Sequence, residues 1–367
     1  TYKVVPGTVV DDLVSTVDLA PTTLNMLGLD VPEVMQGQAF LGDNLSEPRS
    51  YIFGGRDRMD ERYDMIRFIR DKQHKLVVNY MPQKSYNQYM NTAEKSPVQQ
   101  ELNRLAKIGR LPEEAIWVIR QTKPVVEFYD LEKDPNELHN LIEDPDSGVL
   151  KDEKYIKYFN ELMIWAEDIG DLGLIPEPEL ARLGEKYGYR YHIYDKLEED
   201  SPGFYKTLHS MIPFTLGPRL SDYPNNPALA RQYKQMVNHW GGRAMGSASP
   251  SVRYWATTGM GQFGRAHPLL VKRLKDRSQL VRIAAAQALI AFENHQEISL
   301  NVLVEGLQSD DEWIRLQAAT ALDESGELAR PAIPALKEAL NDRENKYVAR
   351  VANHAVNVLE GTDNQVR

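Results

Sequence analysis

The densest set of groups able to hold an anion or a polyol lies in Gly54-Gly-Arg-Asp-Arg-Met-Asp-Glu-Arg-Tyr63. Guanidinium forks pair two-pronged with tetrahedral oxyanions or carboxylates, and carboxylates accept hydroxyl protons. Two glycines ahead of the charges permit tight backbone geometry. Arg56, Asp57, Arg58 and Glu61 are therefore the candidate binding residues. The same run also reads as a solvated charged turn closed by its own ion pairs, and both readings stay open at this point.

Recognisable covalent or metal motifs are not found elsewhere in the sequence. It has no cysteine, which excludes a disulfide framework, a thiolate zinc site and a cysteine nucleophile. The eight histidines are scattered, with no His-x-His and no His-Glu-x-x-His. No catalytic residue and no metal ligand is assigned. The formal charge of −10 and a pI near 5.4 weigh against nucleic acid, since a phosphate backbone rewards clustered Lys and Arg. No run of about eighteen or more apolar residues is present to span a membrane.

The elements that must position the charged run are short. Residues 13–29 read as one helix, with Asp18 as N-cap, Pro21 in the first turn and a stop at Gly28. Tyr51-Ile-Phe-Gly-Gly is β-rich. Asp64–Arg70 and His74–Tyr80 flank Asp71-Lys-Gln as a hairpin, and Val125–Asp130 is a fourth strand. A helix over Tyr155–Ile169 is a natural cover for one face of that small antiparallel sheet. Residues 171–247 are rich in Pro, Gly and Tyr. Gly188–Tyr194 and Met211–Gly217 suggest a packed connector, because dense aromatics need burial.

Further along, four segments repeat in register. Val252, Val281, Ile314 and Val348 are each followed four residues later by alanine: Ala256, Ala285, Ala318 and Ala352. Seven on stand Gly259, Ala288, Ala321 and Ala355, and eight on Met260, Leu289, Leu322 and Val356. That spacing lays one small-and-apolar stripe along a helix face. Leu229–Trp240, Leu269–Leu274, Leu300–Leu307 and Ile333–Leu340 supply the partner helices, with Gly241–Gly246 as the first hairpin's turn. A hairpin that cannot bury its stripe alone must stack on its neighbours. The segment resembles HEAT repeats of the phycobilisome-lyase type, whose Asp-x-x-Val-Arg-x-x-Ala-x-x-Ala-Leu motif fits Asp311–Leu322 nearly throughout. Arg253, Arg282 and Arg315 are expected to brace neighbouring repeats, the alternative being a ligand role. The last copy departs, with Ala349 in the arginine slot and Arg350 one place later.

Two passages in the front half carry another resemblance. Val17-Asp-Leu-Ala-Pro-Thr-Thr-Leu-Asn-Met-Leu-Gly28 with Met35-Gln-Gly-Gln-Ala-Phe-Leu41 resembles a sulfatase passage near the end of the catalytic domain. Phe128–Leu141 resembles that family's closing signature, here a strand, an Asp134-Pro135 turn and a short capped helix, with Asp130, Glu137 and Asn140 bonding local backbone. The resemblance covers about the first 175 residues. It implies an alkaline-phosphatase-like α/β domain followed by a smaller antiparallel-sheet subdomain. It also implies formylglycine and calcium as the catalytic apparatus, expected upstream of Thr1 and not in this chain. Ala248-Ser-Pro-Ser-Val-Arg253 mimics the formylglycine motif, but has Ala and Val where the nucleophile and arginine belong. Asp11-Asp12 resembles the paired metal aspartates only superficially. In similar heparan N-sulfatase-like enzymes a loop placed like 54–63 reaches the pocket, which assigns Arg56, Asp57, Arg58 and Glu61 to substrate selection.

The expected fold class is α+β. It comprises the tail of a sulfatase catalytic domain (1–45), a four-stranded antiparallel-sheet subdomain (46–175), a Pro/Tyr-rich connector (176–226) and an all-α HEAT-repeat solenoid of about four hairpins (227–367). The expected function is the C-terminal part of a sulfatase acting on sulfated saccharides, inactive by itself, from a periplasmic or secreted enzyme. The alternative is a non-catalytic HEAT scaffold with a protein partner. Self-association of the chain is also expected, because its first helix has no sheet to pack on.

Overall fold

The computed structural model describes residues 7, 9–143, 147, 149, 152–210 and 241–366, with the backbone alone at Tyr191, Lys206, His209 and Ser210. The expected helix over Leu229–Trp240 and the run Met211–Gly217 lie outside these residues. The chain forms two compact units, neither continuous in sequence. One comprises Thr1–Arg56, Ile66–Val78 and Val126–Ile169; the other comprises Asp57–Met65, Asn79–Val125 and Gly170–Arg367. Up to residue 169 the helices are α1 (Leu19–Met26), α2 (Asn91–Glu94), α3 (Pro97–Lys107), α4 (Ile116–Ile119) and α5 (Glu153–Asp168). The strands are β1 (Ile52–Arg56), β2 (Ile66–Arg70), β3 (His74–Asn79) and β4 (Val126–Asp130).

The first unit is built on an antiparallel sheet in the order β1-β2-β3-β4. The β2–β3 turn forms as expected: one Asp71 carboxylate oxygen accepts from Gln73 N at 2.8 Å and His74 N at 2.7 Å. Ile69, Leu76, Phe128 and Leu162 make its dry centre. α5 covers one face through aromatic geometry. Trp165 stacks on Phe53 with centroids 5.0 Å apart, and Tyr158 meets Tyr51 and Phe128 edge-on at 5.4 and 5.6 Å. The Tyr158 hydroxyl donates to Asp71, tying the helix to the hairpin turn.

Near the start, the helix is shorter than the sequence suggests, and its polarity is inverted. A 3-10 turn over Thr16–Asp18 precedes α1, and Gly28 ends it at φ +70°. Asp18 does not cap α1 with its side chain. Its carboxylate instead accepts from Ser15 N (2.7 Å), Gln38 N (2.8 Å) and Arg49 Nη2 (2.7 Å). Asn25 bonds Leu41 O and both backbone groups of Asn44, and Thr22 Oγ1 accepts from Phe40 N. Residues 37–44 thus wrap the polar side of the helix. Gly37 is required there, since a Cβ would lie 2.1 Å from the Val17 carbonyl oxygen.

The passage after β4 forms its turns but not the expected short helix. Asp130 accepts from Glu132 N and Lys133 N, Asp134 from His139 N, and Asn140 from Phe128 N. Glu137 differs from expectation. It sits at φ +56°, which breaks helical continuity, and its carboxylate pairs with Lys75 at 2.7 Å instead of with backbone.

In the second unit the described part of the connector, up to residue 210, is helical: α6 (Glu177–Tyr187), α7 (Ile193–Asp200) and α8 (Phe204–Ser210). Its aromatics pack only in part: Tyr194 is edge-on to Tyr205 at 5.1 Å, whereas Tyr189 is 71% exposed. Gly242–Met245 is a short helix, α9, where a plain turn is expected from the glycines. The repeats follow as α10 (Pro250–Gly261), the pair α11 (Pro268–Arg273) and α12 (Gln279–Leu289), the pair α13 (Glu293–Leu307) and α14 (Glu312–Glu324), and the pair α15 (Ile333–Ala339) and α16 (Lys346–Glu360). Each register residue, its alanine four on and the apolar residue eight on are buried. Small residues set the helix spacing. A Cβ on Gly261 would lie 2.6 Å from that of Ala288, and one on Gly306 would lie 2.8 Å from that of Ala318.

The repeat arginines brace neighbouring repeats. Arg253 holds Asp276 through Nε (3.0 Å) and Nη2 (2.9 Å) and donates to Ser247 O and Ala248 O, both side chains being almost fully buried. Arg315 pairs with Asp342 at 2.6 Å and Glu344 at 2.7 Å, and Arg282 pairs with Glu305 at 2.8 Å. Burial alone would raise the Asp276 and Asp342 carboxyls, but the guanidiniums and backbone donors outweigh it and hold both below the usual carboxylate range.

Candidate functional site

β1 extends to Arg56, so Gly54 and Gly55 lie within the strand and not in a loop. Each has a cross-strand reason to be glycine. Gly54 faces Phe68, whose ring would meet a Cβ at 2.4 Å, and Gly55 faces Arg67, whose Cδ and Nη1 would lie 2.9 Å away. The charged loop proper is 57–65, and it belongs to the helical unit.

Of the four candidates, Arg56 is half-buried at the strand end and Asp57 is exposed. Arg58 is engaged within the chain. Its Nε lies 2.7 and 2.6 Å from the two Glu177 oxygens, and its guanidinium carbon stands 4.8 Å over the Tyr63 ring. Glu61 is 3% exposed. One of its oxygens accepts from Arg350 Nη1 at 3.2 Å and the other from Asn91 N at 3.2 Å. Between them Asp60 adopts φ +51° and accepts the Tyr347 hydroxyl at 2.9 Å. Arg62 Nε donates to Gln88 O at 2.7 Å, and Met59 and Arg62 close the loop with a reciprocal backbone pair.

Burial dominates the electrostatics beneath this loop. It pushes the Tyr63 phenol well up, with the neighbouring Tyr254 adding to the effect. It also raises Glu177 above the usual carboxylate range, although the Arg58 charge beside it acts in the opposite sense. Behind the loop, Lys123 and Asp64 form an ion pair of 2.5 Å with both side chains fully buried. Met65 N and Gln88 Nε2 complete the Asp64 carboxylate. Arg56 at the end of β1 and Asp57 at the start of the loop are a guanidinium and a carboxylate, groups able to pair with oxyanions and hydroxyls respectively. Among the described residues no group of three or more His, Asp or Glu is placed to hold a metal ion.

The sequence reading missed Glu177, Tyr347 and Arg350. Arg350 alone had left a trace, the displaced arginine of the fourth repeat. Glu177 and Tyr347 lie 119 and 287 residues from their partners, a separation that local patterns do not register.

A family model described as HEAT repeats matches residues 239–300 and 268–357. Two relatives, each an ulvan-active sulfatase of Formosa agariphila, also match. One is 42% identical over 168 residues, covering 46% of this chain and 28% of the relative. The other is 30% identical over 207 residues, covering 54% of this chain and 36% of the relative. The chain therefore spans about a third of the length of the relatives it matches. It combines a sulfatase-like region with a run of HEAT repeats.

Proposed function

We propose that this chain is the C-terminal part of a sulfatase acting on a sulfated saccharide, with ulvan, on which both relatives are active, as the first candidate. The observation that carries the reading is the 42% identity over 168 residues to one such enzyme. In this reading Arg56, Asp57, Arg58 and Glu61 select the substrate. Arg56 and Asp57 act by contact, a guanidinium toward sulfate or carboxylate and a carboxylate toward sugar hydroxyls. Arg58 and Glu61 act by shaping the loop that presents them. Formylglycine and calcium belong to the rest of such an enzyme, and no step here is routed through them. Hydrolysis by this chain alone is not expected, and a periplasmic or secreted location fits a polymer substrate.

The test is sulfate release by the full-length protein, measured by ion chromatography over a panel of sulfated saccharides that includes ulvan. Release from ulvan or another sulfated saccharide is expected. Absence of release from every member of the panel would leave the non-catalytic HEAT scaffold as the better reading.

A further inference from the structure

The fourth repeat breaks the pattern of the other three, and the break has a structural destination. In α10, α12 and α14 an arginine follows the register residue directly, and it braces a neighbouring repeat. In α16 that place is Ala349, which is buried, and the arginine comes one residue later. One residue along an α-helix turns a side chain by about 100° around the axis. That shift takes Arg350 off the inter-repeat seam and onto Glu61, at 3.2 Å, in the charged loop.

Tyr347, one turn earlier on the same helix, donates to Asp60 at 2.9 Å. Its phenol is raised first by that hydrogen bond and then by burial. Two consecutive loop residues are thus held by two residues of one helical face. A third hold comes from Glu177 at the start of α6, whose two carboxylate oxygens share the Arg58 Nε at 2.7 and 2.6 Å. Asp60 is held in the left-handed region, which residues other than glycine adopt only where their surroundings fix it. The buried Glu61 carboxylate needs its partners, because an unpaired buried charge is costly.

We infer that the last HEAT repeat, through Arg350 and Tyr347, together with Glu177 of α6, sets the conformation of the substrate-selecting loop. Arg350, Tyr347 and Glu177 are positioning residues. The repeats then serve the substrate end of the molecule instead of being a passive appendage. This inference rests on the reading that the loop selects substrate.

The test uses the full-length protein, with hydrogen–deuterium exchange over residues 57–63 read beside steady-state kinetics on ulvan. Arg350→Ala is expected to raise loop exchange at least tenfold and KM about tenfold, with kcat held within about twofold. Arg350→Lys is expected to recover part of both losses. Tyr347→Phe, which deletes one hydroxyl and keeps the packed ring, guards against a folding artefact. It is expected to raise exchange about threefold at an unchanged melting temperature. Unchanged loop exchange in both Arg350→Ala and Tyr347→Phe overturns the inference. So does faster exchange with an unchanged KM, which would leave sulfatase activity standing but detach the loop from substrate. If the unmutated protein releases no sulfate, the sulfatase reading fails, and the exchange arm still decides whether the repeat holds the loop.

Discussion

Lys123 and Asp64 show what single residues contribute here. Each side chain is fully buried, and each is the other's charge partner at 2.5 Å. Removing one takes a charge partner from the other inside a buried site, which costs about 3–5 kcal/mol, far above a surface pair. Lys123→Met is therefore expected to lower unfolding free energy by about that amount in a urea titration. A loss below about 1 kcal/mol would mean that water reaches Asp64. Neither residue stood out in the sequence. Lys123 lies in an ordinary polar stretch, and only the fold brings it to Asp64, 59 residues away. The repeat arginines were legible for the opposite reason, since repetition in register exposes a role that one copy alone would hide.

At the scale of elements, the solenoid depends on close helix approach and on ties between neighbouring helices. Gly261 sits where a Cβ would lie 2.6 Å from Ala288 Cβ, and neither neighbour is a flexible side-chain end. Gly261→Ala is expected to destabilise the protein by about 1–3 kcal/mol despite the better helix propensity of alanine. A stabilised variant in thermal melts would show that the helices slide apart freely. His354 of α16 bonds Asp323 of α14 at 2.7 Å and stacks on Tyr89 at 3.9 Å. Burial works against the charged imidazole, but the Asp323 hydrogen bond and charge outweigh it, so the folded pKa lies above 6.5. The stabilisation from this pair is therefore fully present below about pH 6.5 and is lost as pH rises through the folded value. The stability gap between the unmutated protein and His354→Gln is expected to shrink between about pH 6 and pH 8. A gap that widens over that range would contradict the pairing. The strands, the hairpin and the repeat helices were readable from periodicity. The helical connector was not, because Pro and Gly at helix boundaries look the same as Pro and Gly in loops. Pro176 caps the start of α6, and Gly188 ends it in the left-handed region.

For the whole molecule, the inverted helix α1 matters most. Its Thr22 and Asn25 are buried, while Leu19, Met26 and Leu27 are 58%, 55% and 68% exposed, next to an exposed Val17. Exposed apolar side chains gathered on one short helix are candidates for an interaction surface. The sulfatase reading assigns it to the remainder of the enzyme, and the chain by itself is then expected to self-associate. Light scattering of the purified chain, with and without a Met26→Ser/Leu27→Ser change, checks this: oligomers are expected without it and monomers with it. A monomer in both cases would free α1 of that role. What the sequence could not convey is the discontinuous partition of the chain. The segments between β1 and β2 and between β3 and β4 leave the sheet unit and join the helical one, so the charged loop shares a compact unit with the repeats. Selection of a sulfated saccharide by this loop is tested most directly by the KM of the full-length protein for ulvan with Arg58→Ala beside the unmutated protein. The expected result is a rise in KM or a fall in kcat/KM of about tenfold. Unchanged values of both constants would contradict it.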